Sequence, residues 1–140
     1  MRVAVVYFPA RNRDKILETS KKLAGGIEEN GHQVDIIDGS RDINTKITIY
    51  QYIAFGTQSL SIFRSKLPKG MEEFIKNAGI VSGKRSFAFV MPSFFSSHKT
   101  LKDLMAKMEK EGMFLKFSEI LTPDIAEETG KKLHIMNPIN

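Results

Sequence analysis

Three short stretches hold the residues of this chain with most capacity for chemistry. They are Pro9-Ala10-Arg11-Asn12-Arg13, then Thr57-Gln58 with Phe63 a few positions on, and Ser93-Phe94 after Pro92. Each is attended by further cations: Lys15 after the first, Arg64 and Lys66 after the second, His98 and Lys99 after the third. A guanidinium presents forked donors that match phosphate or carboxylate oxygens. Phe63, Phe94 and Phe95 offer flat apolar surfaces for a ring. In a fold that makes these loops neighbours, they would form a cationic mouth with aromatic walls, suited to a small anionic ligand. A plainer reading stays open, in which the arginines are solvated loop residues and the phenylalanines pack the sheet edge.

Other chemistries lack their parts. With no cysteine, the chain has no disulfide, thiolate metal site or cysteine nucleophile. The histidines do not form a zinc set, which needs several converging ligands: His32 and His134 are expected at the amino end of the sheet and His98 alone at the other. Ser96-Ser97-His98 lacks a nucleophile elbow, and the serines are expected to cap the following helix. Met105, Met108 and Met113 read as core filler. The formal net charge of +5 favours anionic partners, whether nucleotide or acidic protein. Nucleic acid is disfavoured, because basic and aromatic residues are not interleaved in a recognition motif. No stretch nears the roughly 20 apolar residues that span a bilayer, so no membrane partner is expected. No leader pattern precedes the first apolar run, and a reducing cytoplasm is the expected compartment.

These loops need elements to hold them. The composition, 41% hydrophobic and 26% charged over 140 residues, suits one folded domain spanning residues 1–140. Val3–Tyr7 is a continuous apolar run, as expected of a strand covered on both faces. Ile16, Leu17, Leu23, Ala24 and Ile27 then fall on one helical face, with Asn12 as cap and Asn30-Gly31 as stop. Val34–Ile37 reads as a second buried strand, 39–48 as irregular, and Tyr52–Phe55 as a third strand ending at Gly56. Pro68 opens a helix whose buried face is Met71, Phe74, Ile75 and Ala78. A fourth strand at Phe87–Met91, a helix through Leu101, Leu104, Met105 and Met108, and a fifth strand at Phe114–Leu121 follow. Thr122-Pro123-Asp124 caps and opens a last helix reaching about Leu133. Strands alternating with helices predict a parallel sheet with right-handed crossovers and helices on both faces. Pattern alone leaves the strand order open.

At several places the sequence resembles the flavodoxin superfamily, nearly end to end. Tyr7-Phe8-Pro9-Ala10-Arg11-Asn12-Arg13 stands where such proteins have a loop like Tyr-Ser-x-Thr-Gly-Asn-Thr. Ile53-Ala54-Phe55-Gly56-Thr57 is similar to their third strand running into Gly-Thr/Ser. Gly83-Lys84-Arg85 and Gly130-Lys131-Lys132-Leu133 also look familiar. The resemblance implies a three-layer α/β/α sandwich with a five-stranded parallel sheet in the order 2-1-3-4-5, and a ligand at the carboxyl ends of the strands. It also implies FMN as cofactor, electron transfer to a redox partner protein, and an oxidoreductase setting. Pro9, Ala10, Arg11, Asn12 and Arg13 would meet the phosphate, and Thr57, Gln58, Phe63, Ser93 and Phe94 would flank the flavin.

The resemblance thins at the loop that matters most. Ala10 and Arg13 occupy hydroxyl positions and Arg11 the glycine position; of residues 10–13 only Asn12 persists. No tryptophan is available to stack on a ring, and Pro92–Ser97 replaces a glycine-rich stretch. A non-flavin binding or interaction module of the same fold, recognising another anionic ligand or a protein partner, is the alternative. Neither a receiver-domain acid set nor a Gly-x-Gly-x-x-Gly fingerprint follows the first strand.

Overall fold

Apolar runs without alternation demand cover on both faces, and the three such runs become the centre of one sheet. The computed structural model describes residues 1–133 and 135. In it β1 (Arg2–Phe8), β3 (Tyr52–Thr57) and β4 (Arg85–Val90) lie side by side, with β2 (Gln33–Asp38) outside β1 and β5 (Phe114–Ile120) outside β4. Every pairing is parallel and the order is β2-β1-β3-β4-β5. Successive side chains on a strand point to opposite faces, so each central strand feeds two cores. Ala4, Val6, Phe8, Phe55 and Val90 meet α2 (Gly70–Asn77) and α3 (Ser97–Lys110) on one side. Val3, Val5, Tyr52, Phe87 and Phe89 meet α1 (Arg13–Glu28) and α4 (Pro123–Lys132) on the other. This is the three-layer flavodoxin-like architecture that the resemblance implied.

The expected elements form with a few corrections. Val34–Ile37 is not a buried strand: Asp35 and Ile36 are exposed and Val34 is half-buried, because β2 is an edge strand with a partner on one side only. Pro68 lies just before α2, whose N-cap position is Lys69, and the Pro68 carbonyl accepts the Met71 N–H at 3.3 Å. Thr122 and Ser96 stand at the N-cap positions of α4 and α3, but neither side chain caps its helix. The Thr122 hydroxyl donates to the Asp124 carboxylate instead.

Helices α1 and α4 pack by backbone approach. A Cβ at Gly26 would stand 2.1 Å from the Glu127 carbonyl oxygen, and one at Gly130 would stand 2.3 Å from that of Leu23. This contact sets α4 beside α1, so that the starts of both helices open on the carboxyl rim of the sheet.

Candidate functional site

The rim is built from the exits of β1, β3, β4 and β5. Thr57 Oγ1 donates to the Phe8 carbonyl at 2.9 Å, tying the ends of β1 and β3 together. Asn12 takes the extended backbone of an N-cap and its Oδ1 accepts the Lys15 N–H at 3.1 Å, which starts α1. Between them, Ala10, Arg11 and Asn12 turn their amides inward. Three successive N–H groups facing one point make a concavity that attracts an anion.

A buried side chain of this chain already fills it. Gln58 Oε1 accepts from Ala10 N at 3.1 Å, Arg11 N at 2.9 Å and Asn12 N at 2.8 Å. Three donors on one atom fix the carboxamide orientation, since only the oxygen can accept. The residue is 5% exposed, yet its NH2 group donates to nothing among the described residues. It borders an open pocket of about 610 Å³ at the starts of α1 and α4. Arg11, Asn12 and Lys15 line one side of this pocket; Pro92, Thr122 and Asp124 line the other. Arg11 is steadied by donating Nε–H to the Ser59 carbonyl at 3.2 Å. Hydrogen bonding from Thr122 holds the exposed Asp124 carboxyl below its ordinary range, with Lys22 and Lys15 adding to the effect.

Arg13 is engaged elsewhere. It forms an ion pair with the buried Asp38 at the end of β2, and its Nη2 donates to Ser40 Oγ at 3.2 Å. Asp38 also accepts from Ser40 N at 2.9 Å and Ser40 Oγ at 2.6 Å. Burial would raise the Asp38 pKa, but the Ser40 donors and the Arg13 guanidinium outweigh it and hold the carboxyl below the usual range. Tyr7 reaches the same carboxylate at 3.4 Å; burial and that negative charge push its phenol up.

The aromatic residues form a ridge beside the pocket. Phe63 stacks on Phe95 with centroids 6.1 Å apart and planes at 14°, and Phe94 tilts against Phe95 at 5.1 Å. All three are exposed, Phe94 by 84%, so they do not pack the sheet edge. Their loops are closed by their own side chains. Ser59 Oγ accepts from Ser61 N and Lys66 N and donates to the Arg64 carbonyl at 2.8 Å. Ser97 Oγ accepts from Ser93 N at 2.6 Å and donates to the Ser93 carbonyl at 2.7 Å. The serines expected as helix caps are spent on this loop.

The anticipated residues thus divide. Ala10, Arg11, Asn12, Thr57 and Gln58 come together; Pro9, half-buried, leads into the turn. Phe63, Ser93 and Phe94 gather on the neighbouring ridge and its loop, and Arg13 turns to Asp38. Lys99 pairs with Asp103 at 2.9 Å. Among the described residues no cluster of acidic or histidine side chains could hold a metal. His32 lies at the amino end against the Met1 amine, His98 is exposed, and His134 lies outside the described residues. Sequence reasoning did not anticipate Asp38, Thr122 or Asp124, nor what Gln58 does. An acid at a strand exit followed by Gly39-Ser40 was the one available signal, since serine commonly donates to an aspartate two residues back.

As a cradle for the FMN phosphate, the loop fits poorly. Its amides are taken by Gln58, and its hydroxyl positions carry none.

No family model matches the sequence, and no curated protein matches it. Solved structures are similar in shape. A two-electron reduced Megasphaera elsdenii flavodoxin superimposes with a TM-score of 0.72 at 17% identity, over 92% of this chain and 96% of that one. Oxidised flavodoxin 1 from Bacillus cereus gives 0.70 at 16% identity, over 93% and 95%. The flavodiiron protein from Giardia intestinalis gives 0.65 at 14% identity; the match covers 93% of this chain but 34% of that protein. Likeness at such identity is likeness of architecture: the chain has the flavodoxin-like fold.

Proposed function

We propose that this chain is a flavodoxin-like binding module that works without flavin and takes a small anionic ligand between the starts of α1 and α4. The observation behind this reading is the Gln58 carboxamide. Its oxygen satisfies the three amides that would otherwise meet a phosphate, and its NH2 group is left facing a pocket flanked by Arg11 and Lys15. An unpaired amide donor at a pocket wall can still give a hydrogen bond, so an oxygen-rich anion would gain from Gln58, from the two cations, and from the positive ends of two helices. Asp124 on the far wall selects for an anion that also offers a donor, such as a protonated phosphate or a hydroxy acid.

A second reading, FMN-dependent electron transfer with a redox partner protein, is favoured by the stacked pair Phe63 and Phe95 on the two loops that flank the ring in this fold. One experiment separates the two. The purified protein is inspected for flavin absorbance, then titrated with FMN and, separately, with inorganic phosphate and glycolate by calorimetry. The module reading expects no flavin absorbance, no saturable FMN binding, and anion affinity that falls at least tenfold in Arg11→Ala. Saturable FMN binding at micromolar concentration would replace it with the electron-transfer reading. Absence of binding to any of these probes would remove the anion pocket.

A further inference from the structure

At the opposite, amino end of the sheet, Tyr52 has an unusual environment. It begins β3 in the core under α1 and α4, and it is 1% exposed. A buried tyrosine normally finds a partner for its O–H, yet this hydroxyl has none among the described residues. It is also absent from the atoms wholly sealed from solvent. The little surface it retains lines a cavity of about 430 Å³ between β5 and α4. That volume lies within the range typical of small-molecule sites, roughly 300–1,000 Å³.

The walls define the chemistry. Phe117 stacks on Phe87 with centroids 5.6 Å apart and planes at 15°, leaving its outer face half exposed to the cavity. Leu133 supplies a second apolar wall. A register irregularity in β5 makes Lys116 the extra residue between Leu115 and Phe117, and such bulges redirect side chains at sheet edges. Lys116 and Lys132 line the mouth, and Lys132 has no ion-pair partner among the described residues. Glu119 is the single acid on the lining, so the cations outnumber it. Burial pushes the Tyr52 phenol far above its ordinary value, so it stays a donor throughout the physiological range.

We infer that this cavity is a second ligand site, separate from the carboxyl-rim pocket, and that it takes a carboxylate with a flat or branched apolar body. The body lies on Phe117 and Leu133, one ligand oxygen accepts from Tyr52 Oη, and Lys116 and Lys132 answer the charge. This site does not depend on the anion reading of the rim.

The test titrates the full chain with 2-naphthoate, followed by amide chemical shifts. The neutral 2-naphthalenemethanol and the cationic 2-naphthylmethylammonium serve as matched probes. Saturable binding is expected with shifts confined to 52–53, 115–120 and 129–133, at least fivefold tighter for the carboxylate than for the alcohol. Tyr52→Phe keeps the ring and removes only an unpartnered hydroxyl, so it folds; it should weaken naphthoate at least fivefold, and Lys132→Gln at least threefold. Unchanged affinity in Tyr52→Phe, a preference for the cation, or shifts centred on the rim residues 10–12 and 58 would overturn the proposal.

Discussion

At the scale of single residues, Gln58 holds three amides with one end of its carboxamide, and the proposed site uses the other. Substitution can separate them. Gln58→Ala removes the acceptor of three amides, and the residual cost of unsatisfied donors is about 1–3 kcal/mol once water has partly replaced it. A urea titration should therefore show a lower midpoint at unchanged slope. Gln58→Glu keeps an oxygen for those amides and adds a charge-assisted bond, so its midpoint should stay near wild type. The same variant turns the pocket-facing donor into an acceptor and should abolish anion binding. Equal midpoints for wild type and Gln58→Ala would mean that the latch contributes nothing. Asp38 gives a second residue-scale prediction. Its folded pKa lies below its unfolded value, so its stabilisation is fully present above about pH 4 and is lost as pH falls through the folded value. Between about pH 6 and about pH 3 the wild type should lose stability more steeply than Asp38→Asn. Parallel pH profiles would show that Arg13 and Ser40 do not favour the ionised form.

At the scale of elements, two adjacent glycines in α1 sit in opposite circumstances. Glycine in a helix interior costs roughly 1 kcal/mol relative to alanine. At Gly25 nothing lies within 4 Å of the methyl that alanine would add, so Gly25→Ala should stabilise by about that amount. At Gly26 the same methyl would meet the α4 backbone at 2.1 Å, so Gly26→Ala should destabilise despite its better propensity. Thermal melts of the two variants should move in opposite directions; a shared direction would mean that α4 does not sit closely on α1. The pair also marks how far the elements were legible. Periodicity identified α1 and its buried Ile16, Leu23 and Ile27 because those residues repeat along one face. It could not tell Gly25 from Gly26, because the difference lies in an α4 backbone about a hundred residues away. The burial of β2 was misjudged for the same reason. Val34–Ile37 is apolar at most positions, but only the strand order puts it at an edge with Asp35 and Ile36 in the open. Side-chain capping failed at Thr122 and Ser96, where a nearer carboxylate and a neighbouring serine compete for the hydroxyls.

At the scale of the whole molecule, the three central strands were legible from their unbroken apolar runs, whereas their order came only through resemblance. The site was legible as a place, since parallel strands bring the loops after β1, β3 and β4 to one rim whatever their sequence. It was not legible as chemistry, because no pattern reveals that Gln58 folds back onto residues 10–12. Those two levels make a joint prediction for hydrogen exchange. Amides in Val3–Phe8, Tyr52–Thr57 and Phe87–Val90 lie in strands paired on both sides and buried on both faces, so they should open only with global unfolding. Those of β2 and β5, each with one free edge, should exchange earlier. A surface turn would ordinarily exchange first of all, because its amides face water. Here Ala10, Arg11 and Asn12 donate to an acceptor that is 5% exposed and anchored at the end of the fully buried β3. Their protection should therefore approach that of β2 without any ligand present, and Gln58→Ala should remove it while leaving the central strands unchanged. Rapid exchange of these amides in the wild type would show that the concavity stands open to solvent and that Gln58 does not hold it.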